Sequence, residues 1–303
     1  MDQLTMFSPK SSWIPPSDFP TLRDATTIAF DVETYDPNLL TLGPGGVRRD
    51  GKLVGISVRS DCGFCGYFPF GHEGGDNLEK EKVLRWAKDI LGRDIEYVGA
   101  NILYDMEWLR AYDIEVKGTL RDVQVAEPLI NEESPQGYSL AVLAKRYLGE
   151  DKNEDLLIEA ARAHGVDPKG GLWKLPARFV GPYAEADADL PYNIWLRQIQ
   201  KLKNQDLWDI FELESQLIRV ILDMRFKGVA VDINKAEQLN EQYKTEEVKL
   251  LKQIRSESGM LLEPWSPDDL QKAFDKLGIW YPKTAKGNPS FVSDWLNNHD
   301  ESL

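Results

Sequence analysis

Apolar positions along the first two thirds of the chain alternate between strand-like and helix-like spacing. "TTIAFDVET" (26–34) is β-branched and apolar through Val32 and predicts a strand. "GKLVGISVRSD" (51–61) and "CGFCGYFPF" (62–70) predict two more, joined by a turn at Asp61 to Gly63. Leu78, Val83, Leu84, Trp86, Ala87, Ile90 and Leu91 recur at helical spacing and stop at Gly92. "IEYVGA" (95–100) reads as a short strand, and "NILYDMEWLRAYD" (101–113) as a helix opening at Asn101. "RDVQVAEPLINE" (121–132) and "YSLAVLAKRYLG" (138–149) read as further helices. The polar, Gly-bearing "HGVDPKGGLWKLP" (164–176) reads as a connection to a helix over 181–204. Three strands, a helix, a strand and then helices predict an α/β domain with a mixed sheet.

Beyond about Gln205 the pattern is helical throughout. "LWDIFELESQLIRVILDMRFKG" (207–228) is a long amphipathic stretch, and Asp232 can cap a second one over 233–258. The short link between them predicts an antiparallel helix pair. "SPDDLQKAFDKLGI" (266–279) and "NPSFVSDWLNN" (288–298) predict two short, well-capped helices. The expected organisation is an irregular Pro- and Ser-rich arm over 1–25, an α/β domain over 26–204, and an all-helical region over 205–303.

Composition narrows the class. The chain has 303 residues, 42% hydrophobic and 28% charged, ordinary for a globular protein with a sizeable core. No apolar run approaches the ~18 residues of a membrane span, so no membrane partner is expected. The start lacks the pattern of a secretory signal. Two cysteines, Cys62 and Cys65, do not make a disulfide framework, and a reducing cytoplasm fits. Their C-x-x-C spacing precedes a strand and lacks further zinc ligands, His72 being the sole nearby candidate. Both read as turn and strand residues. The net charge of −14 argues against a wide nucleic-acid face. It is a weaker guide where a site gathers cations that bring their own charge.

Three acidic clusters carry candidate chemistry. Asp31 and Glu33 are two apart on the first strand and therefore share a face. Like charges that close repel unless a cation lies between them, or unless the strand simply ends in solvent. Asn101 and Asp105 are four apart and share a helix face, beside Trp108 and Leu109, which would anchor it. Here the plain structural reading is an N-cap and a solvated acid. Tyr183 and Asp187 are again four apart, whereas Asp189 turns about 200° away and Glu185 also leaves that face. A solvated acidic helix start would look similar.

Together and in this order, the "FDVET", "NILYD" and "YAEADAD" segments resemble the three exonuclease motifs of the DEDD superfamily of 3′–5′ exonucleases. In particular they resemble the proofreading domain of family A DNA polymerases, in its bacteriophage branch, over roughly Thr26 to Asn204. "FELESQLIRVILDMRFKGVAVD" and "SPDDLQKAFDKLGIWYPKTAKGNPS" resemble the start of the thumb. The palm and fingers motifs do not follow, so no polymerase activity is expected of the chain. It looks like the N-terminal part of a longer polymerase.

The resemblance implies a ribonuclease H-like mixed sheet flanked by helices, followed by a partial thumb. It implies two divalent cations, Mg²⁺ or Mn²⁺, held by Asp31, Glu33, Asp105 and Asp187, hard oxygen ligands suited to them. Asp31 would touch both ions, Glu33 and Asp187 would complete the tight site, and Asp105 would hold the second ion mainly through water. Tyr183 would orient the attacking water with help from Glu33. No histidine falls in the third motif (the three are His72, His164 and His299), which indicates the tyrosine subclass. Thr34 and Asn101 match positions that contact the terminal nucleotide. Asp122 reads as a structural helix cap. The implied partners are a single-stranded or frayed DNA 3′ end and the rest of the polymerase, in the host cytoplasm if the gene is a phage's. A stand-alone RNA-processing exonuclease is an alternative that the thumb-like tail disfavours. A non-catalytic scaffold is disfavoured by acids at all four positions.

Overall fold

A computed structural model describes residues 9–298. The first eight residues of the expected arm and the last five of the expected thumb, His299 included, lie outside the described residues.

The chain orders itself as β1 (Thr27–Tyr35), α1 (Leu39–Leu42), β2 (Lys52–Ser60), β3 (Cys65–Pro69), α2 (Lys80–Leu91), β4 (Glu96–Gly99), α3 (Ile102–Ala111) and β5 (Thr119–Asp122). Helices follow: α4 (Val123–Ile130), α5 (Leu140–Leu148), α6 (Asp155–His164), α7 (Ala177–Asn204) and α8 (Trp208–Lys227). The sheet order is β3-β2-β1-β4-β5. β1 pairs antiparallel with β2 and parallel with β4, so the sheet is mixed, as the spacing predicts.

The period-2 alternation of β1 sorts its side chains onto two cores. Ile28, Phe30 and Val32 join α2 and α3 in one cluster, with Val83, Trp86, Ile90, Trp108 and Leu109. Ala29 joins α4, α5 and α7 in the other, with Val98, Leu143, Ile194 and Trp195. Asp31 and Glu33 continue the Ala29 face and so point to the side covered by α7. The pairing slips at Glu33/Thr34: Glu33 faces Gly55, and Thr34 faces Leu53. Such a bulge re-aims side chains at the strand end. α8 lies over the β5 edge, where the Arg219 guanidinium donates to the carbonyls of Val116 and Gly118.

Three local expectations need correction. Residues 119–122 form β5, the outer strand of the parallel half, before the helix begins at Val123. The run "TLRD" is too short and too polar to register as a strand alone, and it is made one by pairing with β4. α7 starts at Ala177, four residues earlier than expected, despite Pro182 and Pro191 inside it. α6 occupies a stretch with no expected element; it buries Leu157, Ala160 and Ala161 against Phe179 and Val180 of α7.

The N-terminal segment is irregular over its described part. Its contacts with α7 are specific. Pro182 has no N–H, so the Arg178 carbonyl loses its helical donor. The Ser11 hydroxyl donates to that carbonyl at 2.6 Å. The Trp13 ring lies on Gly181, where a methyl group would come within 2.1 Å of it. Trp13 Nε1 donates to Glu185 Oε1 at 2.9 Å. The segment thus straps the turn of α7 that carries Tyr183.

The chain divides into two compact units after Gly228. The second contains α9 (Ile233–Ser258), α10 (Pro267–Leu277) and α11 (Ser293–Asn298). Asp232 caps α9 and Ser266 caps α10 through their side chains, as expected. Phe274, Tyr281, Phe291 and Trp295 cluster at its centre. No helix among the described residues is long and apolar enough to cross a membrane.

Candidate active site

One pocket of about 450 Å³ opens at the C-terminal end of β1, and every candidate residue lines it: Asp31, Glu33, Thr34, Asn101, Asp105, Tyr183 and Asp187. Carboxylate oxygens of Asp31, Glu33 and Asp187 lie within 4.8 Å of one another, Asp31 half-buried and the other two buried. β1 supplies the first two, and α7, packed along β1, β2 and β3, supplies the third. Glu33 Oε1 is buried with no hydrogen-bond partner. An orphaned carboxylate oxygen in a cluster of hard donors fits a divalent cation.

Asp105 stands slightly apart. α3 brings it into the pocket, but its Oδ1 accepts the backbone N–H of Val32 at 3.1 Å. That bond ties α3 to β1 between the two acids. Asn101 occupies the helix start in the left-handed region (φ 59°), and its side chain makes no cap bond. The side-chain acceptor at the α3 start comes instead from Asp122 at the end of β5. Its carboxylate accepts from Asn101 N at 3.2 Å, Ile102 N at 2.8 Å and Gln124 N at 2.8 Å. One buried carboxylate therefore caps both α3 and α4. This leaves the Asn101 side chain exposed at the pocket rim.

The electrostatics are those of crowded acids. Burial raises the Asp31 carboxyl well above its usual range, and the charges of Asp105, Asp187 and Glu33 add to this. Burial, then Asp187, lifts Glu33 to about 8. Burial likewise raises Asp105 and Asp187, with Lys152 opposing the rise at Asp187. The Tyr183 hydroxyl beside Asp187 also offsets part of that rise. Burial and the surrounding carboxylates raise the Tyr183 hydroxyl strongly, so it keeps its proton and acts as a donor. Thr34 Oγ1 lies 2.7 Å from Tyr104 Oη, which also donates to Asp36 at 3.3 Å. The flanking acids have other partners: Glu185 holds Trp13 and the Tyr67 N–H, and Asp189 pairs with Arg59 at 2.7 Å.

Several pocket residues escape sequence reasoning. Lys152 Nζ sits 2.5 Å from Asp187 Oδ1, and Tyr104, Lys169 and Arg225 line the pocket. Lys152 lies in the polar loop "GEDKNED", where no spacing or apolar neighbour marks it. Cys62 and Cys65 are free and exposed, and His72 is buried with its Nε2 at 2.8 Å from Tyr67 Oη.

Residues 19–205 match the family described as 3′-5′ exonuclease. This chain belongs to the 3′–5′ exonuclease domain family of family A DNA polymerases. A DNA-directed DNA polymerase of Pseudomonas phage M6 is 38% identical over 305 residues, covering 97% of this chain and 45% of that polymerase. The DNA polymerase DpoZ of Acinetobacter phage SH-Ab 15497 is 27% identical, covering 82% and 42%. The chain spans less than half the length of these relatives. The polymerase domain of Pol1 from M. smegmatis, in complex with DNA primer-template and dNTP, shares the fold with a TM-score of 0.60 at 18% identity. That match covers 90% of this chain and 41% of that one. An apo nuclease structure shares it with a TM-score of 0.50 at 14% identity, over 70% of this chain and 91% of that one. The mixed five-stranded sheet flanked by helices is accordingly ribonuclease H-like.

Proposed function

We propose that this exonuclease domain removes nucleoside monophosphates one at a time from single-stranded or frayed DNA 3′ ends, as the proofreading part of a phage family A DNA polymerase. The observation that carries the reading is the convergence of Asp31, Glu33 and Asp187 oxygens within 4.8 Å, one of them orphaned and buried. Residues 26–204 would form the exonuclease domain, with a partial thumb over 205–303.

Asp31, Glu33 and Asp187, with Asp105 beside them, would hold two divalent cations, Mg²⁺ or Mn²⁺. When bound, these supply the positive charge that offsets the phosphate and eases ionisation of water near neutral pH. The side chains do the positioning. Tyr183 presents an O–H donor and Glu33 an unpartnered acceptor, which together can fix the orientation of an attacking water. Thr34 and Asn101, which both line the pocket, would contact the terminal nucleotide. Hydrolysis then adds water to phosphorus and releases the 3′ oxygen of the shortened strand. The acidic balance of the chain suits a site that grips few nucleotides, by stacking and local contacts. Weak, strongly salt-dependent DNA affinity follows, with the rest of the polymerase as the partner for duplex. The place of action would be the cytoplasm of a host cell.

The test is a pair of single-stranded oligonucleotides, DNA and RNA, each labelled at either end, incubated with the protein and Mn²⁺. The reading predicts labelled mononucleotide at once from the 3′-labelled DNA and a shortening ladder from the 5′-labelled one. Mononucleotide released first from 5′-labelled DNA, or cleavage of RNA alone, contradicts it.

A further inference from the structure

We propose that Lys152 is a resident counter-ion of the acidic cluster, one that a divalent cation must displace, so that this residue sets how tightly the site takes metal. The inference rests on the metal-dependent reading above and adds a residue that the three acidic motifs do not contain.

The geometry comes first. Lys152 reaches the pocket from the loop between α5 and α6, with its side chain only 10% exposed. Its Nζ lies 2.5 Å from Asp187 Oδ1 and 3.6 Å from Glu154 Oε1. It also sits 4.1 Å from the centre of the Tyr183 ring. Asp187 Oδ1 has no hydrogen-bond donor beyond this ion pair, and Glu33 Oε1 has none at all. An ammonium therefore takes up part of the charge deficit that three converging carboxylates create. Its influence reaches all of them: it holds down the carboxyls of Asp31, Glu33 and Asp187 against burial.

Two consequences follow from charge alone. An ion drawing on Asp187 Oδ1 competes with Lys152 for that oxygen, and its charge repels the ammonium beside it. Glu154 is placed to receive the released ammonium, already shared there with Lys169 at 3.5 Å. Without metal, the same ammonium, alongside protons the raised carboxyls retain, makes packing the acids together tolerable. Lys152 thus opposes metal binding and supports the metal-free fold.

Calorimetric titration of Mn²⁺ into the stripped full chain tests this, with wild type, Lys152→Met and Lys152→Arg compared at one pH and ionic strength. The expected result is tighter binding by Lys152→Met, by about tenfold or more, and near wild-type affinity for Lys152→Arg, which keeps the charge. A second readout is the melting temperature in EDTA. Lys152→Met should melt below wild type, and saturating Mn²⁺ should close the gap. Equal or weaker Mn²⁺ affinity in Lys152→Met, or tightening by Lys152→Arg as well, overturns the proposal while leaving the metal site standing. No Mn²⁺ heat in any of the three proteins overturns the metal reading and this inference with it.

Discussion

At the scale of single residues, the account turns on which side chains touch the reacting atoms and which only position them. Asp31 and Asp187 are the sharpest cases, since each offers an oxygen to the same small volume. Asp31→Asn keeps the shape and removes the charge, and should lower nucleotide release by at least about a hundredfold, the loss usual for residues that merely support a metal site. Tyr183→Phe removes only the hydroxyl. It should cost roughly a hundredfold in rate while leaving Mn²⁺ affinity near wild type, measured by steady-state release alongside calorimetry. Asp122 belongs to the other kind. Asp122→Ala frees two helix starts at once and should destabilise the fold by about 2–3 kcal/mol in urea titrations. Because α3 carries Asp105, activity should fall as well, and Asp122→Asn should restore part of both.

Secondary structure puts α7 at the centre. One face carries Tyr183 and Asp187, and the turns around Gly181 and Glu185 are held by Ser11, Trp13 and Tyr67. Trp13→Ala should destabilise by about 2 kcal/mol, since the ring is only half-buried, and should lower kcat more than it raises KM. Trp13→Phe should recover most of the stability. Asp31 with Glu33, and Tyr183 with Asp187, were legible because strand and helix periods place each pair on one face whatever surrounds them. The strand alternation of β1 and the apolar period of α2 were legible for the same reason. β5 was not, because "TLRD" owes its conformation to pairing with β4. α6 was not, because its short apolar set makes sense only against Phe179 and Val180. Asn101 read as a cap because Asn favours that place, yet Asp122, 21 residues on, bonds the helix start. Lys152 carried no mark at all, since a lysine in an acidic loop is ordinarily solvated.

For the whole molecule, crowding acids into one pocket ties stability to pH and to metal. The Glu33 carboxyl rises from 4.5 to about 8 on folding. The folded state therefore holds a proton that the unfolded chain has already released. The Glu33 contribution to stability is constant below about pH 4.5, declines as pH rises from there to about 8, and is flat above. In EDTA the decline should reach a few kcal/mol, read from urea unfolding at a series of pH values. Glu33→Gln should flatten it, and saturating Mn²⁺ should offset it, since the ion replaces the proton. The most direct test of the central claim is an anomalous-difference map from crystals soaked with Mn²⁺ and a short oligonucleotide. The account predicts Mn²⁺ bound by Asp31, Glu33 and Asp187, the 3′ end beside Thr34 and Asn101, and Lys152 withdrawn from Asp187. Mn²⁺ peaks only at other sites, with the Lys152–Asp187 pair intact beside a bound 3′ end, would contradict it.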